Sequence, residues 1–213
     1  MTGFRKRRLA GAFAAALVAA PLAAGAQGPG ELPELPGIGT AAVPDTAEPV
    51  APADRAERLD TLFAELKQPG REDWEKIEDE IGRLWSRSGS PAMDLLLRRG
   101  GEAIETEDYP AAVEHLSALV ELAPDFAEGW NARATAFYLM GEFSLSMADI
   151  EHVLALEPRH FGALSGLGSI LEAMDRPEMA LKAYEAVHAL NPNRPDISEA
   201  ITRLERMTGA AEL

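Results

Sequence analysis

Leu122-Ala123-Pro124, Leu156-Glu157-Pro158 and Leu190-Asn191-Pro192 close three segments in the same way, and their prolines stand 34 residues apart each time. A fixed period of that length marks a stack of repeated helical hairpins. Aligned on the prolines, the units run 93–126, 127–160 and 161–194. The eighth position is then always small (Gly100, Ala134, Gly168), as is the twentieth (Ala112, Ser146, Ala180). The fourth is Leu96, Trp130 and Leu164, and the twenty-fourth is Leu116, Ile150 and Tyr184. Small residues let the two helices of a unit approach, while large ones fill the space between units. Trp130 is expected as a large buried aromatic. Proline ends the second helix of each unit because it cannot continue the hydrogen-bond ladder.

The pattern extends outward from these units. Leu59, Leu62, Phe63 and Leu66 share one helical face, and Trp74, Ile77, Ile81, Leu84 and Trp85 share another. Pro69-Gly70 separates them, so residues 54–90 read as a helical hairpin, either a degenerate repeat or an N-terminal cap. Gly82 falls where the repeat frame wants a large residue. Ile197, Ile201 and Leu204 stripe a helix over 195–207, which would cover the last unit's open core. Residues 208–213 are expected as a frayed tail. Asp125 with Glu128, and Asp196 with Glu199, have the spacing of capping pairs, and Ser90-Pro91 suits a helix start.

The N-terminus carries an address. Arg5, Lys6, Arg7 and Arg8 precede an apolar run over 9–22, and Ala24-Gly25-Ala26 offers a small-x-small site. This predicts a signal peptide over 1–26 cleaved after Ala26, a periplasmic or secreted protein, and no stable membrane anchor after cleavage. Residues 27–53, rich in Pro, Ala and Gly, are expected as a disordered linker. Cleavage removes four positive charges and no negative ones, taking the net charge from −15 to −19. That balance argues against nucleic acid. It admits two readings, solubility through self-repulsion or a basic partner.

The units resemble the tetratricopeptide repeat (TPR) family across 93–194. The middle one is the nearest match, with Trp130, Phe137, Gly141, Phe143 and Pro158 on family positions. It departs at Arg133, like Arg99 in the first unit, where the family often has Leu, and at Ser146, which replaces the usual Ala. The resemblance implies an all-α solenoid of three TPR hairpins, flanked by the N-terminal hairpin and a C-terminal capping helix. It further implies an inner face lined by the first helix of each unit. On this chain that face would carry Leu97 and Ile104, then Glu128, Asn131, Thr135, Tyr138 and Leu139, then Ser165, Ser169 and Glu172. Asn131 and Thr135 would bond the backbone of an extended peptide, and Tyr138 would supply an aromatic anchor. The inner face is mildly acidic and lacks the Lys/Arg/Asn set with which some members clamp a C-terminal carboxylate, so chaperone-tail binding is not expected.

Chemistry finds no foothold. There is no cysteine. His115, His152, His160 and His188 share no helical face and no zinc spacing. Gly162, Gly166 and Gly168 follow no strand, so they make no phosphate loop. The expected function is a non-enzymatic protein- or peptide-binding scaffold of the cell envelope, with no cofactor. The alternatives are an assembly or self-associating subunit of an envelope or secretion complex, or an accessory domain to an enzyme on another chain.

Overall fold

Pro124, Pro158 and Pro192 each stand two residues beyond the end of a helix, as the period requires. The computed structural model describes residues 52–209, and these form nine helices and no strand. The expected signal peptide over 1–26, nearly all of the expected linker over 27–53 and residues 210–213 lie outside the described residues. Helices α1 (Pro52–Leu66) and α2 (Trp74–Trp85) form the N-terminal hairpin. The three units are α3 (Pro91–Glu105) with α4 (Tyr109–Leu122), α5 (Ala127–Met140) with α6 (Phe143–Leu156), and α7 (Phe161–Ala173) with α8 (Pro177–Leu190). Helix α9 (Pro195–Thr208) packs on α8.

Close approach within a unit is built from the small positions. A Cβ placed on Gly100 would lie 2.4 Å from Leu116 Cγ, and one on Gly168 would lie 2.6 Å from Tyr184 Cε1. Ser146, in place of the usual alanine, is fully buried and donates its hydroxyl to Ala134 O at 2.7 Å. The fifteenth residue of every unit adopts positive φ: Glu107 at 59°, Gly141 at 78° and Asp175 at 56°. The turn between paired helices demands that conformation, and only the middle unit meets it with glycine.

Arg133 explains the departure at the seventh position. Its guanidinium grips Asp149 of α6 with two hydrogen bonds of 2.8 Å and donates to Ser117 of α4 at 3.2 Å. It also lies 4.9 Å above the Trp130 ring. One cation therefore ties two units together in place of an apolar contact. Trp130 is only half-buried, contrary to expectation. Its ring stacks on His152 at 4.3 Å and its N–H donates to Pro124 O at 2.8 Å. The indole fastens the loop at the unit boundary and packs on the edge of the core rather than inside it.

Helix starts also differ from the sequence reading. Helix α5 begins after Phe126 and α9 after Arg194, so Asp125 and Asp196 are not capping residues. Instead Asp108 accepts from Ala111 N at 3.3 Å to cap α4. His160 Nδ1 accepts from Ala163 N at 3.1 Å to cap α7. Ser90 does precede α3, with Pro91 in its first turn, but its side chain makes no capping bond.

A degenerate first unit or an N-terminal cap would lie against α3. The apolar face of α1–α2 lies elsewhere. Leu59, Leu62, Phe63, Leu66, Ile77 and Ile81 share a core with Phe161, Leu181 and Tyr184 of the third unit and with Ile197 and Leu204 of α9. Gly82 faces open space rather than a partner helix, consistent with a hairpin that is not a repeat. The hairpin thus folds back across the loops that join the units.

Candidate functional site

The inner face brings the expected residues together, but it spends several of them internally. Asn131 is 8% exposed and donates from Nδ2 to Glu128 Oε1 at 3.2 Å. The other Glu128 oxygen lies 3.1 Å from His160 Nε2. Because His160 Nδ1 accepts the α7 cap bond, the imidazole proton sits on Nε2 and points at Glu128. Trp85 then stacks on the far side of that imidazole, 4.3 Å away. The Thr135 hydroxyl donates to Asn131 O within its own helix, at 3.0 Å.

Two polar atoms on this face stay unsatisfied. Asn131 Oδ1 and Ser165 Oγ are buried and meet no hydrogen-bonding partner in the protein. They occupy the fifth position of successive units. Buried polar atoms without partners are uncommon, because each forfeits its bond to water. Two at equivalent positions form the start of a ladder one repeat apart.

Tyr138 is not a protruding anchor. It is 8% exposed and packs against Phe143, which opens the following helix. Burial pushes its phenol above the ordinary range, and the Glu172 carboxylate adds to the effect. In the first unit Ile104 is buried beside half-buried Leu97, and Leu139 of the second unit joins the same apolar cluster. In the third unit the Ser169 hydroxyl donates to Ser165 O at 3.1 Å, and the Tyr184 hydroxyl donates to Glu172 Oε1 at 3.0 Å. Arg203 of α9 donates to Glu172 as well, at 3.1 Å for one of the bonds. Glu172 is thus matched by a cation from the capping helix, and the inner face is less acidic than its own residues suggest.

His160, Arg194 and Arg203 are the residues that sequence reading missed. His160 and Arg194 share the thirty-fourth position of their units, a signal visible in the register. Arg203 lies off the Ile197, Ile201 and Leu204 stripe of α9, and nothing in the sequence ties it to Glu172. Among the described residues no group of three or more His, Asp or Glu is placed to hold a metal ion. No helix among them is long and apolar enough to cross a membrane.

No protein-family profile matches the chain. Over 155 residues it is 42% identical to a TPR repeat-containing protein of Rhizobium etli, covering 72% of this chain and 76% of that one. Over 133 residues it is 28% identical to the small glutamine-rich tetratricopeptide repeat-containing protein 2 of Saccharomyces cerevisiae, covering 62% of this chain and 38% of the relative. Among solved structures, the first TPR of Spaghetti bound to an HSP90 peptide aligns with a TM-score of 0.54 at 22% identity, over 56% of this chain and 95% of that one. The crystal structure of MamA aligns with a TM-score of 0.53 at 21% identity, over 67% and 85%. At these identities the structural likenesses speak for the fold.

Proposed function

Because the chain belongs to the tetratricopeptide repeat family, we propose that it is a non-enzymatic scaffold of the cell envelope that binds an extended segment of another protein along its inner face. The observation that carries this reading is the pair of unsatisfied buried atoms, Asn131 Oδ1 and Ser165 Oγ, one repeat apart. Both atoms are shut off from solvent, so they would accept from the backbone N–H groups of an extended peptide once the two side chains rotate outward. Leu97, Ile104 and Leu139 form an apolar cluster on the first helices of the first two units. That a related fold holds an HSP90 peptide supports the mode of binding, not the partner. The net charge, −15 for the full chain and −19 after cleavage, favours a basic partner through long-range attraction, since Glu172 already faces Arg203.

Affinity capture from an envelope extract tests the groove. Asn131→Ala with Ser165→Ala should retain a partner at least about tenfold less well than the unaltered chain, an effect of about 1.4 kcal/mol, while the fold melts normally. Retention of the same proteins at the same level would remove the groove as their site. The address is tested on the same preparation. Its intact mass should correspond to a chain beginning at Gln27, and retention of Met1 or Thr2 would refute cleavage.

A second reading, self-association, draws on a different edge. Met140 and Met174 share the fourteenth position and Leu145 and Met179 the nineteenth, and all four are exposed. Light scattering that shows a monomer at every concentration would remove it.

A further inference from the structure

The N-terminal hairpin reads the loops between units in register. On α1, Asp60 accepts from Arg159 at 2.7 Å, and the Arg159 guanidinium lies 4.5 Å above the Phe63 ring. One unit on, Asn193 donates from Nδ2 to Leu66 O at 3.1 Å and to Gln68 O at 3.0 Å, and its Oδ1 accepts from Arg71 N at 3.1 Å. Arg159 and Asn193 both stand at the thirty-third position. On α2 the order runs the other way. Trp85 stacks on His160, and Glu78 faces Arg194 at 3.9 Å while accepting from Asn191 Nδ2 at 2.9 Å. His160 and Arg194 both stand at the thirty-fourth position.

Glu78 and Trp85 are seven residues apart, two helical turns or about 10.5 Å of rise. One step along the stack therefore matches two turns of α2. Any amphipathic helix laid along this edge would meet equivalent loop residues every seven positions. The edge presents Arg159 and Arg194 with the amides of Asn191 and Asn193; Glu157 pairs with Arg159 at 3.1 Å and Asp196 with Arg194 at 2.6 Å, which leaves Nη1 as the free donor of Arg194.

The present occupant fits this edge incompletely. Arg194 is 2% exposed, yet its Nη1 has no hydrogen-bonding partner and stands too far from Glu78 to make one. The indole N–H of Trp85 is buried and unpartnered as well. Burial pushes the Glu78 carboxyl above the ordinary range, with Arg194 and Asn191 pulling it back. A carboxylate placed closer to Arg194 would satisfy the orphaned donor.

We propose that the loop edge of the second and third units is a binding surface for an amphipathic helix, that α2 is its tethered occupant, and that its partner in trans is a helix carrying a carboxylate and, seven residues on, an aromatic ring. This partner is acidic on its bound face, unlike the basic one favoured by the net charge. The site lies on the loops; it meets the inner face only through His160, which carries Trp85 on its ring and holds Glu128 through Nε2. The tether over 86–90 is short, which holds α2 at an effective concentration of about millimolar. A partner therefore gains the edge when the hairpin is released.

The test uses the full chain with a protease site placed in 86–90 and cut after folding. The probe is a fluorescein-labelled synthetic peptide of residues 72–87, followed by fluorescence anisotropy. The cut chain should bind it at least tenfold more tightly than the uncut chain. A probe carrying Glu78→Lys and Trp85→Ala should lose at least tenfold on the cut chain. Ser165→Ala alone, which touches no residue of the edge, introduced into the cut chain should leave probe affinity unchanged, so that failure of the groove and failure of this edge read differently. Equal binding by cut and uncut chains, or equal binding of both probes, would overturn the proposal. So would concentration-dependent dimerisation of the uncut chain with the probe excluded, which would assign the edge to hairpin exchange between copies.

Discussion

Arg133→Ala should destabilise the fold by about 3–5 kcal/mol, because it strands Asp149 as a buried charge without its partner. The Asp149 side chain is only 5% exposed, and both of its oxygens accept from Arg133. The loss extends beyond the pair. Arg133 also donates to Ser117 in the preceding unit and lies over the Trp130 and Phe137 rings, so truncation loosens the joint between the first and second units. For an ordered domain of this size that corresponds to a fall of about 6–20 °C in melting temperature. Replacing both partners with apolar residues, Arg133→Met and Asp149→Leu, should recover most of the loss, since no buried charge is then left alone. Thermal melting of the two single variants and the double variant checks this. If Arg133→Ala melts within about 2 °C of the parent, the pair is not holding the joint.

Arg133 also shows where the sequence was legible and where it was not. The proline period placed every unit, and the small residues at the eighth and twentieth positions located the close approaches. These features are local or strictly periodic, so one chain suffices to read them. The meaning of Arg133 depended on Asp149 lying opposite, sixteen residues away on another helix. The hairpin was harder still. The Ile77 and Ile81 stripe on α2 reads as an ordinary amphipathic face, and nothing near Glu78 announces that its partner is Asn191, 113 residues on. Periodicity says which side of a helix is apolar but not what it will cover.

The inner face divides along the same line. Its membership followed from the register, so Asn131 and Ser165 emerge at equivalent positions. How much of it is already used depended on groups outside the register's usual attention. His160 was set aside as one of four unrelated histidines, yet it caps α7, holds Glu128 and carries Trp85. The capping pairs at Asp125 and Asp196 failed because each helix starts elsewhere than their spacing implied. Histidine is a rare cap, and only the geometry of the loop into α7 makes its Nδ1 the nearest acceptor.

Leu116→Ala should cost about 2–5 kcal/mol, since Leu116 is fully buried between α3 and α4 and its loss leaves a cavity. The sharper expectation concerns Gly100, whose added Cβ would lie 2.4 Å from Leu116 Cγ. In the parent chain Gly100→Ala sets about 1 kcal/mol of improved helix propensity against about 1–3 kcal/mol of overpacking, so it should be neutral to destabilising. In the Leu116→Ala background the new methyl enters vacated space. Overpacking disappears, the propensity gain remains, and part of the cavity fills. Gly100→Ala should then stabilise by about 1–2 kcal/mol, reversing its sign. Urea denaturation midpoints of the four proteins measure the coupling directly. Equal effects of Gly100→Ala in both backgrounds would mean that α3 and α4 do not approach through this pair, and the eighth position would lose its role in closing the repeat.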